Sequence, residues 1–371
     1  MKAIIEKKKL MQSLSHLHGV VEKRNTIPIL ANVLIEAKEN TLSLAATDME
    51  IAELQNISCK VEQSGSITTP AHVLYDIVRK LPESSLIELE SSEGKKLDIK
   101  TDKISFSLMC LSPKDFPDIH SGDFPEGFEI ESSKLAKLID KTLFSVSTEE
   151  TRYYLNGIYL HSVKSGEEEV FRVVATDGHR LSRLSAELPV NAKNLTGVII
   201  PRKTVIELRK ILESKQSIVK IQISKNKIKF IIENIIITSK LLDGAFPDYE
   251  RVIPDNNNKE LIIDTKEFID AVDRVSTLSS DRTKAIKFKL INSSLEISAE
   301  NPDQGSAKEN INVHYTGEEL EIGFNSRYLL DIAKQISGAQ IKFLLSDKLS
   351  PSLIFDDDDK QALYLLMPMH I

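Results

Sequence analysis

Residues 173–182 read VVATDGHRLS, and residues 44–51 read LAATDMEI. The first stretch sets a hydroxyl, a carboxylate, an imidazole and a guanidinium within five positions, at Thr176, Asp177, Gly178, His179 and Arg180. Those are the side chains of hydrolases and metal centres. What the two stretches share, however, is an apolar strand running into a Thr-Asp turn. Asp177 follows Asp48 by 129 residues, an interval too long for a solenoid repeat and suited to duplicated domains. A third stretch, LEISAENPDQ at 295–304, has the same grammar of alternating strand, small residue and acidic or amide turn.

Other features keep step with these turns. Amphipathic helices are expected at about 7–20, 132–144 and 265–278, each with apolar residues at three and four spacing. A second helix follows each turn, in TTPAHVLYDIVRKL, IIPRKTVIELRKIL and GFNSRYLLDIAKQI, with Thr, Pro or Asn near its start. Short alternating strands such as NTLSLAATD, KIKFIIEN and SLEISAE lie between. Strands leading to proline-marked exits close the units, and the first two exits share a Phe-Pro-Asp turn. The reading is an α+β chain of three tandem similar domains, at 1–125, 126–252 and 253–371.

A chain of 371 residues exceeds what one core usually organises, which agrees with several domains. With 41% hydrophobic and 28% charged residues, no apolar run approaching a membrane span and no signal core in MKAIIEKKKL, it reads as cytoplasmic. Cys59 and Cys110 stand far apart and in no ligand spacing, against a disulfide framework or a zinc site. A net charge of −7 does not suggest nucleic acid by itself, so basic residues must cluster locally if DNA is a partner.

Catalysis fits poorly. His179 follows Gly178 in a turn with no nucleophile in a recognisable elbow, and the eight histidines are scattered. The paired positions of the first repeat, Met49 and Glu50, carry no such chemistry. No cofactor or metal is called for. The helices say more: Lys134, Lys137 and Lys141 share one face, and Arg202, Lys203, Arg209 and Lys210 recur at seven-residue spacing, suggesting a basic surface facing phosphate. DDDDK at 356–360 reads as a polar hairpin loop. The end, ALYLLMPMHI, is apolar almost to the last residue, which suits either core packing or an adaptable pocket.

Taken together, RNTIPILANVLIEA, TLSLAATDMEI, RYYLNGIYL, VATDGHRLS, VIIPRKTVIEL, TSKLLDGAFPDYERVIP, EIGFNSRYLLDI and YLLMPMHI resemble, in order and over the whole length, the bacterial sliding clamp family, the β subunits of DNA polymerase III. That resemblance implies the DNA clamp fold, with two chains joined head to tail in a ring around duplex DNA, helices inside and sheets outside. It implies tethering of the replicative polymerase for processive synthesis, not catalysis. A head-to-tail contact must close or it makes a fibre, and two three-domain arcs close it.

The resemblance also implies sites. DNA contacts would fall at Arg24, Tyr153, Tyr154, Arg202 and Lys203; His72 and Glu149 stand where some members have arginine and glutamine. The dimer interface would use the edge strand at 103–110, with Ile104, Phe106 and Leu108, facing Leu278. A groove for Leu- and Phe-bearing motifs of the polymerase α subunit, the clamp-loader δ subunit and repair proteins would be formed by Leu155, Thr176, Gly178, His179, Arg180, Leu181, Pro247, Arg251 and Val252. Leu365, Met367, Pro368, Met369, His370 and Ile371 would complete it. His370 replaces a frequent arginine, so a partner's salt bridge there would be weaker or pH-dependent. The competing readings are an enzyme using Asp177, His179 and Arg180, and a protein scaffold without DNA.

Overall fold

The computed structural model describes residues 1–22, 26–92, 95–119, 122–125, 127–193, 195–213 and 216–370. Among the described residues, six α-helices form where the apolar periodicity predicts: α1 Lys7–Val20, α2 Ala71–Lys80, α3 Ser132–Leu143, α4 Arg202–Glu213, α5 Thr265–Ser276 and α6 Ser326–Ala333. In α1 the buried face is Leu10, Leu14, Leu17 and Val20, and in α5 it is Phe268, Ala271, Val272 and Val275. Each such Leu, Val or Phe removed from water contributes about 1.5–3 kcal/mol. Side-chain capping accompanies that burial at some helix starts and not at others. Asn325 does cap α6, accepting from Arg327 and Tyr328 N, and Asp264 caps α5, but Pro70 before α2 and Glu6 before α1 make no side-chain cap.

The chain forms two compact units. The first comprises Met1–Ala136, Pro189–Asn191 and Lys203–Leu241. It holds a five-stranded sheet in the order 60–63, 2–6, 86–92, 96–100, 105–109. Its eight-stranded sheet runs 128–131, 218–223, 227–232, 235–240, 51–58, 41–47, 32–38, 65–70. Here strands of the first and second repeats share one sheet: Ile51–Ser58 pairs antiparallel with Ile235–Lys240, Ala52 opposite Thr238.

The second unit comprises Lys137–Leu188, Ala192–Arg202 and Leu242–Ile371. Its nine-stranded sheet runs 198–201, 157–165, 168–176, 180–187, 362–366, 352–356, 340–345, 259–264, 314–315. Strands of the second and third repeats meet in it, Leu181 opposite Leu365. A four-stranded sheet, 305–312, 294–301, 285–291, 320–325, completes the unit. The third turn lies within it, where Asn301 Oδ1 accepts from Asp303 N at 3.1 Å.

The acidic run is the expected hairpin loop, joining the paired strands Ser352–Asp356 and Ala362–Leu366, but two of its carboxylates, Asp356 and Asp359, are buried. Asp356 accepts from Ser337 N at 2.7 Å and Gly338 N at 3.2 Å, and Asp359 lies 2.9 Å from Lys137 and 3.4 Å from Lys141. The same bonds take Lys141 out of the basic stripe of α3 and pair Lys137, which stays exposed. Lys141 is buried, donates to Gln335 O at 2.6 Å and is held between the aspartates. On α4, Lys210 bonds Glu207 at 2.8 Å and Arg209 lies 3.7 Å from Glu213. A buried cation persists only when paired, as Lys141 is, whereas Lys134, Lys137, Arg202 and Lys210 stay exposed, so ion pairing thins the basic stripes without removing them.

Candidate functional site

The two Thr-Asp turns are the same structure. Thr47 Oγ1 donates to Ile51 O at 2.9 Å and accepts from Met49 N at 3.0 Å; Thr176 Oγ1 donates to Arg180 O at 2.7 Å and accepts from Gly178 N at 3.1 Å. Asp48 Oδ1 accepts from Glu50 and Ile51 N, and Asp177 Oδ1 from His179 and Arg180 N. The residue after each Asp takes positive φ, +79° at Met49 and +89° at Gly178. Glycine takes that conformation without strain. Both acids are therefore consumed by turn geometry, which accounts for the motif without catalysis.

Arg180 is buried, and its donors are engaged within the chain: Nε to Asp177 at 3.0 Å, Nη1 to Asp331 at 2.7 Å, Nη2 to Phe144 O at 2.5 Å. Its guanidinium lies 4.3 Å from the Tyr328 ring centre. It shapes a wall rather than offering a free cation. His179 is exposed and lies parallel to Tyr328, ring centres 6.3 Å apart. His179, Arg180 and Arg202 border one cavity of about 380 Å³, so a residue assigned to DNA and two assigned to partners share a lining.

Beside this turn lies an apolar cluster. Val174, Leu181, Tyr249, Leu353, Leu363 and Leu365 are buried together, and Tyr159, Phe246, Ile253, Leu344, Phe355 and Met367 pack against them half-buried. Leu155 is buried nearby in sequence at the end of the short helix Glu150–Leu155. Pro247, Arg251 and Val252 stand exposed on the segment that follows Phe246. The tail is fixed by its backbone: Met367 N donates to His179 O and Met369 N to Gly323 O, each at 2.8 Å. Met369 and His370 border a second cavity of about 390 Å³, while Met367 and Pro368 are half-buried. Apolar side chains held part-exposed by a rigid sheet make a surface that can take a partner's apolar anchors.

A buried polar network anchors one side. Tyr249 Oη lies 3.0 Å from His161 Nε2, and Arg172 Nη1 donates to Tyr249 Oη at 3.2 Å and to Glu250 at 2.5 Å. Burial, then the Arg172 cation, lowers the His161 pKa to about 4, so the imidazole is neutral. Sequence reasoning missed Tyr159, His161, Arg172, Phe246 and Tyr249. The shared Phe-Pro-Asp exit pointed at Phe246; nothing in the strand pattern distinguished Arg172.

The remaining expected residues divide. Tyr153 is exposed and Tyr154 half-buried, their rings 5.9 Å apart. Lys203 donates to Val20 O at 3.0 Å and to Asp48 at 2.5 Å, tying α4 to the first turn. Strand Ser105–Met109 ends the five-stranded sheet, with Phe106 and Met109 exposed and Ile104 and Leu108 half-buried. Leu278 is half-buried just after α5. Arg24 and Ile371 lie outside the described residues. Among the described residues no cluster of three or more His, Cys, Asp or Glu could hold a metal, and no helix is long and apolar enough to cross a membrane.

Family models for the N-terminal, central and C-terminal domains of the DNA polymerase III beta subunit match residues 1–120, 129–248 and 250–370. The chain belongs to the DNA polymerase III beta subunit family. It is 43% identical to the beta sliding clamp of Caulobacter vibrioides over the full length of both chains, and 38% identical to that of Pseudomonas aeruginosa over 99% of each. Among solved structures, a sliding clamp of Bartonella birtlesii bound to griselimycin is 46% identical and superposes with a TM-score of 0.97, covering all of both chains. His72 and Glu149, two of the three positions expected to depart from the family pattern, have local partners. His72 Nε2 donates to Val21 O at 3.2 Å, and Glu149 lies 3.2 Å from Arg152.

Proposed function

We propose that the three repeats, at 1–125, 126–252 and 253–371, are three clamp domains, and that two copies of the chain join head to tail around duplex DNA. The protein is a DNA sliding clamp, a non-catalytic processivity factor that tethers the replicative polymerase and other partners. The observation that carries the reading is end-to-end likeness at 46% identity with a TM-score of 0.97, covering all of both chains. Physical reasoning agrees. A protein that must stay on DNA yet advance gains nothing from many phosphate contacts, since each adds friction. Topological linkage separates retention from affinity, and a net charge of −7 is compatible with it.

The exposed strand Ser105–Met109 supports a dimer contact. An unpaired apolar edge is otherwise an aggregation hazard, and Leu278 is the counterpart we assign to it. Tyr153, Tyr154, Arg202, Lys203 and Arg24 are the DNA-facing set, working by weak non-specific contact. Partners dock on the apolar cluster around Leu181, Leu365 and Met367, walled by Pro247, Val252 and the tail, and the work is done in the cytoplasm. The test is loader- and ATP-dependent retention on nicked circular DNA. Release on linearising the circle is expected; equal retention on linear DNA would overturn topological tethering.

A further inference from the structure

The likeness between the two turns extends to their surroundings. Lys240 N donates to Glu50 O at 2.8 Å, as Met367 N donates to His179 O at 2.8 Å. Ala52 opposite Thr238 is thus the equivalent of Leu181 opposite Leu365. Phe116-Pro117-Asp118 follows the first repeat's strands as Phe246-Pro247-Asp248 follows the second's. At this place in the first unit a cavity of about 200 Å³ opens between Thr47, Met49, Pro117, Thr238 and Lys240. A smaller one of about 60 Å³ shares Ala52, Ile119 and Thr238 with it and continues to Leu54, Ile236 and Lys229. The two form one groove on the face of the eight-stranded sheet.

Its chemistry has changed. Where the second repeat presents Leu181, Leu365 and Met367, the first presents Ala52, Thr238 and Lys240, a smaller and more polar floor. The border carries Lys227, Lys229 and Lys240 against Glu50 and Asp118. Lys240 donates to Glu50 at 2.9 Å. The Lys229 ammonium lies 3.9 Å from the centre of the Phe124 ring, and among the described residues no carboxylate pairs with it. Burial, then Lys227, pushes its pKa below the usual lysine value, a penalty that an incoming carboxylate relieves.

We propose that this groove is a second docking site, for an extended acidic peptide segment with small apolar side chains, whose carboxylate meets Lys229 beside Phe124. The inference rests on reading the Leu181–Leu365 groove as a peptide site, since it takes the repeat-related place. It differs from that groove in the chemistry of its partner. Small side chains match Ala52 and Thr238, whereas Leu and Phe would lie against the polar Thr238 and Lys240 side chains.

Two fluorescein-labelled peptides test it by anisotropy on the full-length protein, an acidic one, GDVDAEG, and an apolar one, GSLSLFG. The acidic peptide is expected to bind saturably, and to weaken about tenfold in Lys229→Glu and in Thr238→Glu while changing less than about twofold in Val252→Arg. The apolar peptide is expected to show the reverse. Lys229→Ala, which leaves no new charge, supplies the same reading if either bulkier variant unfolds. No saturable binding of the acidic peptide by about 1 mM, or equal loss in Val252→Arg, would overturn the second site. An apolar peptide indifferent to Val252→Arg would instead overturn the reading of the Leu181–Leu365 groove.

Discussion

The Tyr249 hydroxyl, 3.0 Å from His161 Nε2 and 3.2 Å from Arg172 Nη1, fastens the segment that carries Pro247, Arg251 and Val252 to the strands of the second repeat. Tyr249→Phe leaves two buried groups short of a partner, at a cost of about 1–3 kcal/mol. Calorimetry is expected to show a lowered unfolding midpoint. Affinity for a Leu/Phe peptide is expected to fall severalfold although Tyr249 itself is buried, and unchanged affinity would contradict the anchoring role.

Two buried groups give stability opposite pH slopes. Glu53, fully buried, bonds Gln55 and faces Glu207 and Lys210, with His16 against Gln55. Burial, then Glu207, pushes its pKa from 4.5 up to about 7. The folded chain holds this proton more tightly than the unfolded one. Its contribution is complete below the ordinary carboxylate range and is lost as pH rises through about 7, a change of about 3 kcal/mol. Glu53→Gln is expected to remove that loss, so denaturant titrations at about pH 5 and pH 8 should differ less than in the unmodified protein.

His161 acts the other way. Its pKa falls from 6.5 to about 4, so the unfolded chain takes the proton first and stability declines as pH drops through that window. His161→Gln is expected to flatten the acid side of the stability profile while leaving the alkaline side to Glu53.

Leu365 and Val252 separate packing from recognition. Leu365 is buried opposite Leu181, and Leu365→Ala is expected to cost about 2–5 kcal/mol. Val252 is 49% exposed, so Val252→Ala should leave stability within about 0.5 kcal/mol while weakening a Leu/Phe peptide. Titration calorimetry alongside denaturation distinguishes the two.

Phe106 is 38% and Met109 69% exposed on an end strand. A double change to aspartate, Phe106→Asp with Met109→Asp, is expected to leave the fold intact and shift sedimentation from dimer to monomer. Persistent dimers would place the interface elsewhere.

Much of this was legible in the sequence because repetition is legible. Helices α1, α3 and α5 begin where the apolar spacing puts them, since burial of one face decides a helix. The Thr-Asp turns were readable as turns, since Asp and a positive-φ residue have few other uses side by side. What was hidden was pairing at long range. Lys141 and Asp356 look like surface charges in their own segments, and each is buried among partners distant in sequence, Gln335 O for the lysine and Ser337 and Gly338 N for the aspartate. Arg180 likewise reads as a free guanidinium until Asp331, 151 residues away, is beside it.

The hydrogen bonds joining Ile51–Ser58 to Ile235–Lys240 set a rule for dissecting the gene. A fragment ending at 125 would strip strand 51–58 of its neighbour and leave Ala52, Leu54 and the backbone beside them bare. Such a piece should be recovered insoluble, whereas one that carries residues 126–136 and 203–241 along with it keeps the sheet whole. Truncations drawn at the sequence repeats therefore cut through folded sheets, and failure of those fragments would report the cut, not the instability of the parent.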